Sequence, residues 1–150
     1  MAMKIHHNIK VLALMILIVL TATGIDWIAH QISPEYAVPS YYFRNKIIYA
    51  TIWGLLGLTA LRNQNNMAKK AAWISFFIAV ALQTRYYLEG YDLTFIMLFM
   101  VVHFFAFLLP MTVVFKNFPE LFGNPLRDIK MAAAKQNSTA RFARFRKPGQ

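Results

Sequence analysis

The chain has 150 residues, 58% hydrophobic and only 15% charged, with a mean hydropathy of +0.42 and a formal net charge of +10. Soluble domains run at roughly 45–50% apolar and about 25% charged residues, so this chain is too apolar for an ordinary soluble domain and far too apolar for a disordered one. Its lack of cysteine excludes a disulfide framework, a thiolate nucleophile, a zinc ribbon and an iron–sulfur cluster.

A membrane-spanning helix needs about 20 mostly apolar residues to cross about 30 Å of hydrocarbon. Four segments qualify, at about 11–30, 42–61, 71–88 and 93–115. The first opens with VLALMILIVL. It follows Lys4 and Lys10 and ends near the small residues Thr21 to Gly24, as a cleaved leader would. Its apolar run is nevertheless long enough for a spanning helix, and it is read as one. In the third, the strictly apolar part from Ala71 to Leu82 is short, so Gln83, Thr84 and Arg85 must complete the crossing. The fourth has no formal charge from Leu93 to Phe115. Such uniformly apolar runs do not suit the alternating strands of a barrel. The expected fold is an all-α integral membrane protein. Residues 1–116 form an antiparallel bundle of four transmembrane helices, and 117–150 form a basic tail.

Lys and Arg concentrate in cytoplasmic loops. Thirteen of the 16 basic residues fall in the N-terminal arm, the 62–70 connection and the tail. Both termini are therefore expected in the cytoplasm. Arg44, Lys46 and Arg85 fall on the opposite side, near helix ends where long side chains can snorkel to water. All seven tyrosines also fall on that outer side, as an aromatic belt would.

Asp26 is the anomaly, because it sits about one turn inside the outer end of the first helix, where a carboxylate is costly and by default functional. His30 is four residues on, so the two share a helical face. Asp and His at this spacing can hold a metal, or the Asp can orient the imidazole. The alternative is a structural pair, with Asp26 bridged to Arg44 or Arg85 and His30 solvated. Glu35, Glu89 and Asp92 are further candidate ligands on the outer side. His103, with Met97 and Met100 above it on the fourth helix, offers ligands that suit copper. By helical rise His103 lies about 10 Å deeper than His30. That offset argues against a haem held between the two; an interhelical hydrogen bond, the common use of a polar residue inside a bundle, is favoured for His103, and core packing for the methionines. The Asp-x-x-x-His pattern at a helix end resembles part of the metal motif in the C subunit of copper membrane monooxygenases. This resemblance implies a metal ion, copper or zinc, at Asp26 and His30. A second His further along completes that motif, and the matching stretch here, Tyr41-Tyr42-Phe43-Arg44, has none.

Small residues let membrane helices approach closely. Ala50, Gly54, Gly57 and Ala60 on the second helix, and Ala71, Ser75 and Ala79 on the third, predict a tight contact between those two. Gln83 is the next position on the third helix's stripe. Pro34 and Pro39 stiffen the 31–40 loop into a cap, and Pro110 should kink the fourth helix. In the tail, Asn124 and Pro125 start an amphipathic helix to about Gln136, expected to lie on the membrane surface. The closing run with Arg141, Arg144, Arg146 and Lys147 suits anionic lipid headgroups, and no nucleic acid is expected.

No phosphate loop, nucleophile elbow, His-Glu-x-x-His or transporter-like repeat is present. The expected function is an accessory subunit of a larger membrane complex, with other integral membrane subunits and the bilayer as partners. The alternatives are a membrane enzyme subunit or metal-binding protein with an outward-facing Asp/His site, and a small oligomeric channel.

Overall fold

A computed structural model describes residues 2–123, and among them every regular element is helical. The order is α1 (Ala2–His30), a 3-10 turn (Pro34–Tyr36), α2 (Tyr41–Ala60), α3 (Met67–Leu88), α4 (Leu93–Asn117) and the short α5 (Pro119–Phe122). α1 starts nine residues before its apolar run, at Ala2 rather than 11, because the polar arm has no Gly or Pro to interrupt a helix. α3 starts at Met67, where the Asn66 side chain accepts from Lys69 N at 3.0 Å. α4 starts after Asp92, which accepts from Phe95 N at 3.0 Å. Both satisfy donors that a helix N-terminus leaves open. Gly90, at φ +82, closes the α3–α4 turn in the left-handed region that favours glycine. α4 continues through Pro110 to Asn117.

Each long helix packs on its sequence neighbours, and α4 closes the ring against α1, with α3–α4 the most extensive pairing. The core has two zones. One is aliphatic and aromatic, built on Met15, Ile18, Ile74, Ile78, Phe107 and Phe115. The other, towards the 31–40 loop, is almost wholly aromatic, with Tyr42, Tyr86, Phe95 and Phe99 packed under Tyr36 and Val38.

Two helices, α1 over Ile5–His30 and α4, are long and apolar enough to cross a membrane. α2 and α3 do not meet that measure, because Arg44 and Lys46 dilute one and Lys69, Lys70 and Arg85 the other. The small residues also divide among neighbours. A Cβ on Gly54 would meet the Met15 sulfur of α1 at 2.6 Å, whereas one on Gly57 would meet Ile74 of α3 at 3.1 Å. The Ser75 hydroxyl faces the Met111 sulfur of α4 at 3.9 Å. The stripes therefore do not zip α2 to α3 along their length, since each helix has two neighbours to approach. The expected helix at 125–136 and the basic run from Arg141 to Lys147 lie outside the described residues.

Candidate functional site: a buried polar cluster

All four long helices meet at one buried polar cluster. α1 contributes Asp26 and His30, α2 Lys46, α3 Gln83 and Tyr86, and α4 His103, and every one of these is buried. Lys46 Nζ donates to Asp26 Oδ2. The same ammonium lies 2.6 Å from His103 Nε2. His103 Nε2 is also 2.8 Å from Asp26 Oδ1, yet that oxygen has no hydrogen-bond partner among the described residues.

The hydrogens follow from donor and acceptor chemistry. A lysine ammonium only donates and a carboxylate oxygen only accepts, so His103 Nε2 faces a donor on one side and an acceptor on the other. Nδ1 lies 2.6 Å from the Gln83 amide. The amide nitrogen is the atom that faces the ring, so it donates to Nδ1, and Gln83 Oε1 is buried without a hydrogen-bond partner among the described residues. The same logic fixes His30. Its Nδ1 contacts the carbonyl oxygen of Tyr36 in the 3-10 turn. A carbonyl only accepts, so Nδ1 carries a proton. Nε2 points back into the cluster, 3.6 Å from Asp26 Oδ2, with the Tyr86 hydroxyl 3.4 Å away. The negative charge of Asp26 meets the positive charge of Lys46.

Aromatic rings close the cluster towards the loop. The His30 ring stacks on Phe99 with centroids 4.0 Å apart, and Phe99 packs on Phe95 at 4.5 Å. The loop acts as the cap its prolines suggested, since Tyr36 both orients His30 and packs edge-on against Phe99 at 5.7 Å.

The positions expected from sequence sort clearly. Asp26, His30 and His103 come together, with one ligating atom from each inside a 4.8 Å group. The depth offset of His103 from His30 is one turn, about 6 Å, short of the roughly 10 Å expected, because the ends of α1 and α4 are not level. His30 stands opposite Phe99, so one turn inwards on each helix brings Asp26 opposite His103. Asp26 bridges to Lys46 instead of Arg44 or Arg85; Arg44 is exposed and Arg85 Nε donates to Glu89 at 2.8 Å. Glu35 and Glu89 are exposed, and Asp92 caps α4, so none of the three joins the cluster. Met97 is half exposed and outside the core. Lys46, Gln83 and Tyr86 were not expected as site residues. Lys46 had a readable signal: Lys46, Ala50, Gly54 and Gly57 follow one face at helical spacing, and that face is buried throughout. Gln83 had the same signal on α3, one turn beyond Ala79.

Comparison with known proteins gives no further guide: no family model, no curated protein and no solved structure matches the chain.

Proposed function

We propose that this chain is an integral membrane protein of four spanning helices, with both termini in the cytoplasm, serving as a structural subunit of a larger membrane complex. The observation that carries this reading is the internal neutralisation of the cluster. Asp26 and Lys46 answer each other, and one residue or more from every long helix is tied into the same network. A carboxylate reserved for a metal or a substrate has no reason to be holding an ammonium from its own chain. Buried polar groups joined in this way specify one arrangement of helices.

Two of the five charges that lower the hydropathy of α2 and α3 are compatible with spanning helices. Lys46 and Lys70 are buried, so they do not face lipid. The surfaces that remain carry Ile48, Ile52, Trp53 and Leu56 on α2, and Trp73, Phe76, Phe77 and Val80 on α3. Apolar patches of that extent are not left to water. The distribution of Lys and Arg supports the orientation. The test is a native gel of gently solubilised source membranes, with mass spectrometry along the lane. Migration with a fixed set of larger proteins is the expected result; a chain that runs alone or only with copies of itself overturns the subunit reading.

One observation favours a second reading, a metal-binding membrane protein. Asp26, His30 and His103 present their ligating atoms within 4.8 Å of one another, and Asp26 Oδ1 and Thr23 Oγ1 are buried acceptors without a hydrogen bond among the described residues. An Asp and two imidazoles suit copper or zinc. Lys46 would have to withdraw before such an ion entered. Metal analysis of the purified full chain separates the two readings. One ion per chain, lost in both Asp26→Asn and His103→Gln, supports the metal site; no stoichiometric ion in wild type or in Lys46→Met supports the structural one.

A further inference from the structure

α2 and α3 are not sealed against each other. A cavity of about 460 Å³ opens between them beside the polar cluster, lined by Asn45, Lys46, Tyr49, Trp53, Ala81 and Arg85 among others. A second of about 500 Å³ continues from it, lined by Leu56, Gly57, Ala60, Phe77 and Val80. Trp53, Ala81 and Thr84 border both, so the two form one trough. Each volume is in the range of about 300–1,000 Å³ typical of ligand pockets.

The trough is chemically one-ended. Its cationic and amide side chains, Asn45, Lys46 and Arg85, are all at the end beside the polar cluster, and the continuation is apolar except for Thr84. Lys46 is committed to Asp26 and His103. Arg85 is less fully used. Its Nε donates to Glu89, and its guanidinium carbon stands 4.3 Å over the Tyr42 ring. That leaves the terminal fork of nitrogens, whose geometry matches a phosphate. From Asn45 to Leu56 the rise along α2 is about 16 Å, roughly half of the hydrocarbon thickness of about 30 Å.

We propose that the α2–α3 trough binds one anionic phospholipid, its phosphate at Arg85 and Asn45 and an acyl chain running past Tyr49 and Trp53 towards Leu56. Charge at one end and an apolar channel one leaflet long match an amphiphile. A partner helix, apolar along its length, would gain nothing from Arg85. The site rests on the reading of α2 and α3 as membrane-spanning.

Trp53 is the built-in reporter. With Trp27 and Trp73 replaced by Phe in the full chain, Trp53 is the one remaining indole. The protein is reconstituted into phosphatidylcholine vesicles containing a minor fraction of brominated phosphatidylglycerol, or the same fraction of brominated phosphatidylcholine. The expected result is several-fold stronger quenching of Trp53 by the brominated anionic lipid. Ala81→Phe, which fills the trough where its two parts meet, should remove that excess, and Arg85→Gln should reduce it. Equal quenching by the two lipids, or an excess that survives both substitutions, overturns the site. Quenching of Trp53 by neither lipid, with Trp27 and Trp73 of the wild type equally unaffected, would instead mean that the chain does not enter the bilayer. Loss of the excess when a co-purified protein partner is added back would assign the trough to that partner and overturn the lipid.

Discussion

Among the described residues two lysines are buried, and they are treated differently. Lys46 of α2 faces a carboxylate and an imidazole in the polar cluster. Lys70 of α3, near the other end of the bundle, donates to the backbone carbonyl of Phe122 at 2.7 Å and makes no ion pair among the described residues. Phe122 is held there by stacking on Phe115, with centroids 4.4 Å apart. Lys70 thus fastens α5 to the bundle through the negative end of a short run of peptide dipoles, whereas Lys46 balances a full charge. The difference shows what each end of the bundle tolerates. A cation in the first turn of α3 can be met by a carbonyl, but a carboxylate one turn inside α1 needs a cation.

The largest effect should follow from breaking the Asp26–Lys46 pair. Lys46→Met strands Asp26, and Asp26→Leu strands Lys46. Each should lower stability by about 3–5 kcal/mol, the usual cost of leaving one member of a buried pair uncompensated. The double substitution should recover most of that loss, because neither charge is then left alone. Denaturant unfolding of the detergent-solubilised chain measures all three. If the double variant is as damaged as the sum of the singles, the two residues are not coupled and the neutral-cluster reading fails.

Lys70→Met sharpens the contrast, because it removes a cation without leaving an anion behind. The Phe122 carbonyl loses its donor, which should cost about 1–2 kcal/mol. A loss as large as that of Lys46→Met would mean that the two lysines do the same work, contrary to their surroundings. His103→Gln should fall between the two. It breaks the link from Gln83 to Lys46 but keeps a polar side chain, and about 2 kcal/mol is expected from one lost buried hydrogen bond and the groups left around it.

Part of the fold was legible in the sequence, and what was missed has a physical cause. Apolar length located the four long helices to within a few residues at their ends nearest the 31–40 loop. It failed at the starts of α1 and α3, where polar residues continue a helix that hydropathy cannot see. Asp26 and His30 stood out because a carboxylate in an apolar helix is costly. Lys46 did not, since a lysine near a helix end usually snorkels, and only its alignment with Ala50 and Gly54 showed that it points inward. The depth of His103 was misjudged because counting turns assumes level helix ends. Nothing in the local sequence says that α4 rises beside the 31–40 loop until Phe99 meets His30.

The smallest effects distinguish two glycines that look alike in the α2 stripe. A methyl group on Gly54 would meet the sulfur and terminal carbon of Met15 at 2.6 and 3.2 Å, and one on Gly57 would meet the two γ carbons of Ile74 at 3.1 and 3.3 Å. The shorter contact is the more forgiving one. Met15 is unbranched and can swing its end away through several torsions, whereas a β-branched isoleucine in a helix is held near one rotamer. Both substitutions also gain up to about 1 kcal/mol from the better helix propensity of alanine. Gly54→Ala should therefore unfold within about 0.5 kcal/mol of wild type, and Gly57→Ala should be the less stable of the two by about 1 kcal/mol, because overpacking falls on a side chain that cannot yield. The reverse order in the same unfolding assay would show that α2 is fixed against α1 more rigidly than against α3. It would then be the α1 side of α2, and not the α3 side, that sets its place in the bundle.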